Sequence, residues 1–298
     1  MSRFHAMQVF VKVAETSGFA EAARQLNMSP PAVTRAVASL EHHIGARLFT
    51  RTTRTVKLTE AGTRYVEDCR RILADVAEAE AAAAGSYARP RGVLTVTAST
   101  LFGQEYITPI LAEYCDQNPE VNVRALFVDR ITHMIDEGID VGIRIGELAD
   151  SSFTAIRVGA VRRVVCGAPS YFEQHGVPRH PSDLAGHNII VSMTSWASLD
   201  WRFGGPQKPV VRIVPRLSFN TYGAVLKATM LGWGLARPLS YQIGRALIDG
   251  ELKTVLSEFE DAPLPVHVVH PEGRRASAKV RAFVDLAVDR LRANRSIN

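Results

Sequence analysis

The 298-residue sequence is poor in the features that mark secreted, membrane-spanning or metal-stapled chains. It has three cysteines, Cys69, Cys115 and Cys166, far apart and without a CxxC pair, so neither a disulfide framework nor a zinc knuckle is expected. No run of roughly 18 residues, the length a membrane helix needs, is free of charge. Arg3, Lys12 and Glu15 come too early for a secretory apolar segment. The chain is therefore expected in the cytoplasm, with no membrane partner. Catalytic signatures are missing too: there is no GxSxG elbow, no GxGxxG, no HExxH, and no Gly-Lys pair from which a phosphate loop could be built. His267 and His270, and the neighbouring His42 and His43, have no partner cluster. No catalytic residue, metal or cofactor is assigned, and the chain is not expected to be an enzyme.

What is present is an ordinary globular composition, 46% hydrophobic and 22% charged, with an uneven charge distribution. Residues 1–58 carry eight basic side chains (Arg3, Lys12, Arg24, Arg35, Arg47, Arg51, Arg54, Lys57) against Glu15, Glu21 and Glu41, a net of +5. That accounts for the whole formal charge, since 27 residues of each sign remain of the chain's 35 basic and 30 acidic ones. A basic head on a neutral body fits a nucleic-acid-binding module, in which Lys and Arg neutralise phosphates. An acidic protein partner is the alternative.

The head has helical periodicity. Phe4, Met7, Val11 and Ala14 form a first stripe that stops at Thr16-Ser17-Gly18; Phe19, Ala22, Ala23 and Leu26 form a second, ending at Asn27-Met28-Ser29. Ser29 can cap a third helix with Pro30 and Pro31 in its first turn, and Val33, Val37, Leu40 and Ile44 form its buried row. Thr34, Arg35, Ser39 and His42 then project elsewhere, as a recognition helix requires, with Arg35 the foremost base or phosphate reader. The Thr- and Arg-rich stretch 47–58 alternates like a hairpin. With Arg51, Arg54 and Lys57 close together it reads as a basic wing lying along phosphates.

From Thr63 to Ala84 no Gly or Pro interrupts a long helix. Tyr65, Cys69, Ile72, Val76, Ala79 and Ala83 are spaced as a coiled-coil seam, which predicts pairing with a second copy, although the stripe could also pack on its own domain. Two recognition helices could then read half-sites one DNA turn apart.

The run GFAEAARQLNMSPPAVTRAVASLEHHIGARLFTRTTRTVKLTEAG, together with DEGIDVGIRIGEL, PSYFEQHGVPRHPSDLAGH and the segment 220–238, resembles the LysR-type transcriptional regulators over essentially the whole chain. The resemblance implies an α + α/β chain: a winged helix-turn-helix (1–58), a linker and dimerisation helix with hinge (59–90), and an effector-binding domain (91–298). That domain would have two lobes like a periplasmic binding protein, lobe I (91–161 and 268–298) and lobe II (162–267), with the chain crossing between them near 161–163 and 265–267. It implies DNA contacts from Ser29, Pro31, Thr34, Arg35, Arg51, Thr53 and Arg54. Pro31 departs from the polar residue many members carry there. The implied partners are double-stranded DNA with an interrupted palindromic operator, a small-molecule effector, and further copies of the chain, a homodimer assembling to a homotetramer on the nucleoid.

In the C-terminal part, 93–98, 121–127 and 140–145 read as strands, with helices at 102–118 and 130–137, an alternation that suggests a parallel sheet. A second such unit runs through 162–168, 188–192, 200–203, the helix after Asn220 and 252–255; 266–270 and a final helix at 276–292 return to the first lobe. Ligands of such sheets sit beyond the strand carboxyl ends. Ser99 and Thr100 on one lobe and Asn220 and Thr221 on the other are thus the expected effector residues. Their helix amino-termini would favour an anion such as a carboxylate, or else the residues simply cap helices. Arg144 pairs with such a ligand or sits in an internal ion pair. Ser195 and Trp196 are further candidates. Trp196, Trp201 and Phe203 would suit an aromatic effector if they faced the cleft, although aromatics at this spacing more often belong to the core. Some relatives sense peroxide through paired cysteines; Cys115 and Cys166 are expected on different lobes, which argues against that. The rival readings are a small-molecule-binding α/β enzyme with a basic helical oligomerisation module, and a non-specific architectural DNA binder.

Overall fold

A computed structural model describes residues 2–51, 56–83, 89–148, 153–193, 198–205, 208–271 and 276–297. It divides into two units, Met1–Arg89 and Pro90–Asn298. The wing-tip residues Thr53 and Arg54, the hinge residues 85–88, and Ser195 and Trp196 lie outside the described residues. So do the side chains of Arg51, Ala79 and Ala83.

The first unit is three helices, a hairpin and a long helix. Helix α1 (Arg3–Thr16) starts at Ser2, whose Oγ accepts from the His5 amide, and stops at Ser17 in the left-handed region (φ 49°). Helix α2 (Phe19–Gln25) is short, and its small Ala22 and Ala23 are fully buried, allowing close packing. Helix α3 (Pro30–Ile44) has Ser29 as its N-cap residue, but no side-chain cap bond forms. Val33, Val37 and Leu40 pack with Val9, Phe10 and Val13 of α1. Ile44, expected to extend that row, is 37% exposed. The helix ends one residue later at Gly45 (φ 75°), so the last turn leaves the core and Glu41 turns inward instead.

Strands β1 (Phe49–Arg51) and β2 (Val56–Leu58) pair antiparallel, Phe49 opposite Leu58 and Arg51 opposite Val56. Phe49 anchors this hairpin: its ring centroid lies 5.2 Å from that of Phe10 and 5.8 Å from that of Phe19. Thr59 starts helix α4 (Glu60–Ala83); its Oγ1 donates to the Arg47 carbonyl at 2.7 Å and accepts from the Gly62 amide at 2.9 Å. Gly62 is required at this junction, since a Cβ there would lie 2.0 Å from the Leu48 carbonyl oxygen. The supposed seam of α4 divides along its length. Cys69 is buried in its own unit's core, and Tyr65 packs 5.7 Å from the Phe10 ring, because the first turns of α4 cover α1. Ile72 is 39% exposed and Val76 is half-buried.

The second unit has two lobes. In lobe I, β3 (Gly92–Ala98), β4 (Val121–Phe127), β5 (Val141–Ile145), β6 (Thr154–Val161) and the late strand β13 (Leu264–His270) form a five-stranded sheet in the order β4-β3-β5-β13-β6. β4 and β5 flank β3 in parallel. Between β3 and β4 run α5 (Thr100–Phe102), a π-helical turn over Gly103–Ile107, and α6 (Thr108–Gln117). The stretch 130–137 is a succession of turns and not the expected helix. Three β-branched residues, Ile131, Thr132 and Ile135, disfavour helix there, and Glu137 closes the loop by binding Arg130 and the His133 amide.

Lobe II follows with β7 (Val165–Gly167), α7 (Pro169–His175), β8 (Ile190–Ser192), β9 (Asp200–Arg202), β10 (Val210–Arg212), β11 (Leu217–Phe219), α8 (Tyr222–Met230), α9 (Gly244–Ile248) and β12 (Lys253–Val255). Its strands pair in short ladders: β7 with β12, β8 with β11 and β9 with β10. The chain then re-enters lobe I as β13 (Leu264–His270), antiparallel to both β5 and β6, and ends in α10 (Ala278–Arg292). The sheet is therefore mixed and not purely parallel. The return is also complete at Leu264, earlier than 265–267, because Leu264 already pairs with Val161.

A third segment ties the lobes. Tyr241, between α8 and α9 in sequence, is buried in the lobe I core, 5.1 Å from the Phe102 ring and 5.8 Å from the Tyr106 ring. Next to it Ser240 exchanges hydrogen bonds with the Arg162 backbone. Arg162 in turn meets Glu260 at 2.7 Å, joining the two crossings.

Candidate functional sites

On the first unit, burial of Val33, Ala36, Val37 and Leu40 turns the opposite side of α3 to solvent. Ser29, Pro31 and Arg35 are exposed and Thr34 is half-buried, so the four candidate DNA contacts on this helix gather in its amino-terminal half. Among the described residues Arg35 has no carboxylate partner, which leaves its charge available. In the hairpin Lys57 is exposed beside Thr50.

The residue that positions the wing is Glu41, which the sequence pattern passed over as one of three acids in a basic segment. Its side chain is buried, and Oε1 accepts from the amides of Leu48 (2.7 Å) and Phe49 (3.2 Å). Two amides at the start of β1 are thereby satisfied by a carboxylate from α3. A legible signal existed: an acid lies one turn after Val37 on the apolar face, where a solvated side chain has no place.

On the second unit a cavity of about 340 Å³ opens between the lobes, lined by Thr100, Phe127, Val128, Asp129, Arg130, Asn220 and Thr221. Thr100, Asn220 and Thr221 are thus brought together from positions 120 residues apart. The sheet register explains lobe I's share: Ala98 of β3 lies opposite Phe127 of β4, so the residues after each strand reach the same edge. Asp129 and Arg130 were not anticipated. The Asp129 carboxylate accepts from the Thr100 amide at 2.9 Å. The helix amino-terminus expected to await an anion on lobe I is therefore already held by one of the chain's own carboxylates.

Of the other candidates, Ser99 and Arg144 are described and do not line the cavity. Ser99 Oγ is 3.3 Å from the Tyr241 hydroxyl. Burial pushes that phenol up to about 12, and hydrogen bonds from Ser99 and Gln242 draw it partly back. Among the described residues Arg144 forms no ion pair. Its guanidinium donates to the carbonyl and hydroxyl of Thr132, and burial lowers its pKa. Trp201 and Phe203 belong to the lobe II core, beneath the guanidinium of Arg237, which stands 5.7 Å and 4.3 Å from their ring centroids. They form no aromatic wall. Cys166 is buried on lobe II, where burial pushes its thiol up to about 12; Cys115 lies on α6 of lobe I, and both are free.

Both units match known families. The model of the bacterial regulatory helix-turn-helix protein, lysR family, matches residues 4–63, and that of the LysR substrate binding domain matches residues 88–292. The chain belongs to the LysR family of transcriptional regulators. This LysR-type regulator is 32% identical over 292 residues to the HTH-type transcriptional activator AaeR of Escherichia coli, covering 97% of this chain and 94% of that protein. To the HTH-type transcriptional regulator CrgA of Neisseria meningitidis it is 30% identical over 295 residues, with 97% of each chain covered. The structure of CrgA aligns over 97% of this chain and 99% of that one with a TM-score of 0.62 and 27% identity. The full-length virulence activator AphB of Vibrio cholerae, at 23% identity, shares the fold with a TM-score of 0.61 over 97% of this chain and 99% of that one.

As a LysR-type regulator the chain binds DNA through its helix-turn-helix and a small molecule through its substrate-binding domain. The enzyme alternative has no support, since the family and these relatives are regulators of transcription. Among the described residues no helix is long and apolar enough to cross a membrane.

Proposed function

We propose that this regulator binds an interrupted palindromic operator as a dimer assembling to a tetramer, acting on the nucleoid in the cytoplasm. Ser29, Pro31, Thr34 and Arg35 meet base edges and backbone in the major groove, and Arg51, Thr53 and Arg54 of the wing follow the adjacent phosphates. The observation that carries this reading is the exposed, uncompensated amino-terminal half of α3 within the 1–58 segment, whose net charge of +5 equals that of the whole chain. Ile72, Val76, Ala79 and Ala83 of α4 supply the pairing surface, with Tyr65 and Cys69 supporting it from within each copy. An effector in the inter-lobe cavity, met by Thr100, Asn220 and Thr221 and bordered by Ser99, Arg144 and Ser195, changes the angle between heads and hence DNA bending. A tenfold preference for one arrangement, about 1.4 kcal/mol, suffices.

The test is footprinting of the DNA upstream of the protein's own coding region at two salt concentrations. A protected, salt-sensitive interrupted palindrome is expected; protection no better than on random DNA refutes it there. Arg51→Ala and Arg54→Ala should each flatten the salt dependence by about 0.9 in log–log slope, the loss of one phosphate contact. Arg35→Ala should change sequence preference. Asn220→Ala should remove the effector response and leave operator affinity intact.

A further inference from the structure

The residues lining the inter-lobe cavity carry one carboxylate that no cation matches. Only two of the seven are charged, Asp129 and Arg130. The Arg130 guanidinium is clamped by both oxygens of Glu137 at 2.8 and 2.6 Å and also donates to the Ile131 carbonyl, so that pair is neutral. Asp129 is half-buried and forms no ion pair among the described residues. Its Oδ1 accepts from the Thr100 amide, and Oδ2 has no partner among the described residues. A half-buried charge left unpaired is costly. The cavity therefore favours a cation and opposes an anion.

The surroundings of this carboxylate are fixed by the fold. The Val128 amide donates to the Ala98 carbonyl at 3.0 Å, which extends the β3–β4 ladder by one residue and delivers Asp129 to Thr100. The Phe127 ring packs against Gly103, where no Cβ stands in its way. Phe127 and Val128 thus place an apolar surface beside the charge. The opposite wall, from lobe II, consists of Asn220 and Thr221, both exposed. Thr221 is the N-cap residue of α8, yet its side chain makes no cap bond. Neither residue's side-chain oxygen is used by another described residue. The walls together offer three side-chain oxygens, one of them charged, next to an aromatic ring. A primary ammonium group has three N–H donors and is attracted to aromatic faces.

We propose that the cleft ligand is a small organic ammonium ion, an alkyl- or arylamine without a carboxylate, whose N–H groups donate to Asp129 and to the side-chain oxygens of Asn220 and Thr221. Its carbon skeleton lies on Phe127 and Val128. This rests on the reading of the cavity as the effector site and adds its chemistry. The bond to Asp129 is charge-assisted, and because Asn220 and Thr221 belong to lobe II, one ammonium group joins the two lobes. A carboxylate ligand finds no free cation among the lining residues and meets Asp129 instead. A neutral alcohol leaves the charge of Asp129 unmatched.

The experiment is calorimetric titration of the full-length protein at neutral pH with butylamine, hexylamine, benzylamine and phenethylamine, each flanked by the alcohol and the carboxylate of the same skeleton. At least one amine should bind about tenfold or more tightly than either counterpart, the worth of a hydrogen bond to a charged group. Asp129→Asn keeps an acceptor for the Thr100 amide and removes the charge. It should weaken that amine about tenfold and leave the alcohol within about threefold. No amine bound, an alcohol or carboxylate as tight as its amine, or an amine affinity unchanged in Asp129→Asn overturns the ammonium ion. Asn220→Trp, which fills the cavity, separates this inference from the reading it rests on. An alcohol or carboxylate that outbinds its amine and is lost in Asn220→Trp sinks the ammonium ion and leaves the cleft standing, whereas amine binding indifferent to both substitutions places the site elsewhere and overturns both.

Discussion

Replacing Glu41 by alanine should destabilise the DNA-binding unit more than any surface substitution on α3. The side chain accepts from two amides, Leu48 and Phe49, and both residues are buried, so water does not readily take its place. An unsatisfied buried donor costs about 1–3 kcal/mol, which puts Glu41→Ala at about 2–6 kcal/mol for the pair. The Arg47 contact at 3.5 Å adds little, since that guanidinium is 81% exposed. Glu41→Gln keeps an oxygen in place and loses only the charge assistance, about 1 kcal/mol per bond. The assay is hydrogen exchange in the full-length protein at the buried α1 amides of Val9, Phe10 and Val13, which open only when the unit unfolds. With tenfold per 1.4 kcal/mol, Glu41→Ala should speed their exchange by about 30-fold or more, and Glu41→Gln by clearly less. Acceleration under threefold in Glu41→Ala would show that the carboxylate is not what holds the hairpin to α3.

Three further outcomes are expected. Gly62→Ala places a Cβ 2.0 Å from the Leu48 carbonyl oxygen, a backbone clash that should cost about 1–3 kcal/mol in the same exchange assay, whereas Gly45, with open space around it, tests left-handed backbone strain alone. Native alkylation at pH 8 should label the half-buried Cys115 first, because a thiol with a pKa of about 12 is ionised in only about one molecule in ten thousand; rapid labelling of Cys166 would refute its burial. Glu137 is held down to about 2, first by the Arg130 guanidinium and then by the His133 amide. A carboxylate with a depressed folded pKa stabilises above its ordinary value near 4.5 and loses that contribution as pH falls toward 2. The His133 amide should therefore stay protected at pH 5 and lose protection in that window, and Glu137→Gln should erase the transition.

Much of the helical architecture was legible because its signals are local. The apolar stripes of α1, α2 and α3, the break at Thr16-Ser17-Gly18, and the proline start of α3 each depend on neighbours within one or two turns. The charge asymmetry is legible for the same reason, being a property of composition. Most strands in the second unit also followed from local runs, although β6, β10 and β11 were not anticipated. The failures lie where local propensity competes with a distant partner: 130–137 has helical spacing but is closed into turns by the Arg130–Glu137 pair, and Ile44 lies on the apolar row but past the last turn that the core covers.

By itself, then, the sequence determined the order of the elements in the first unit, the basic head on a neutral body, the family, and three of the residues that meet in the cleft. The tertiary structure alone decided what those residues face. Asp129 occupies the Thr100 amide, Arg144 is committed to Thr132, and Tyr241 crosses from one lobe into the core of the other. It also decided that Tyr65 and Cys69 of α4 belong to their own unit's core. The physical reason is the same in each case. Periodicity reports which face of an element is buried, whereas hydrogen bonds and charges are allocated among groups that the chain brings together from tens to more than a hundred residues apart.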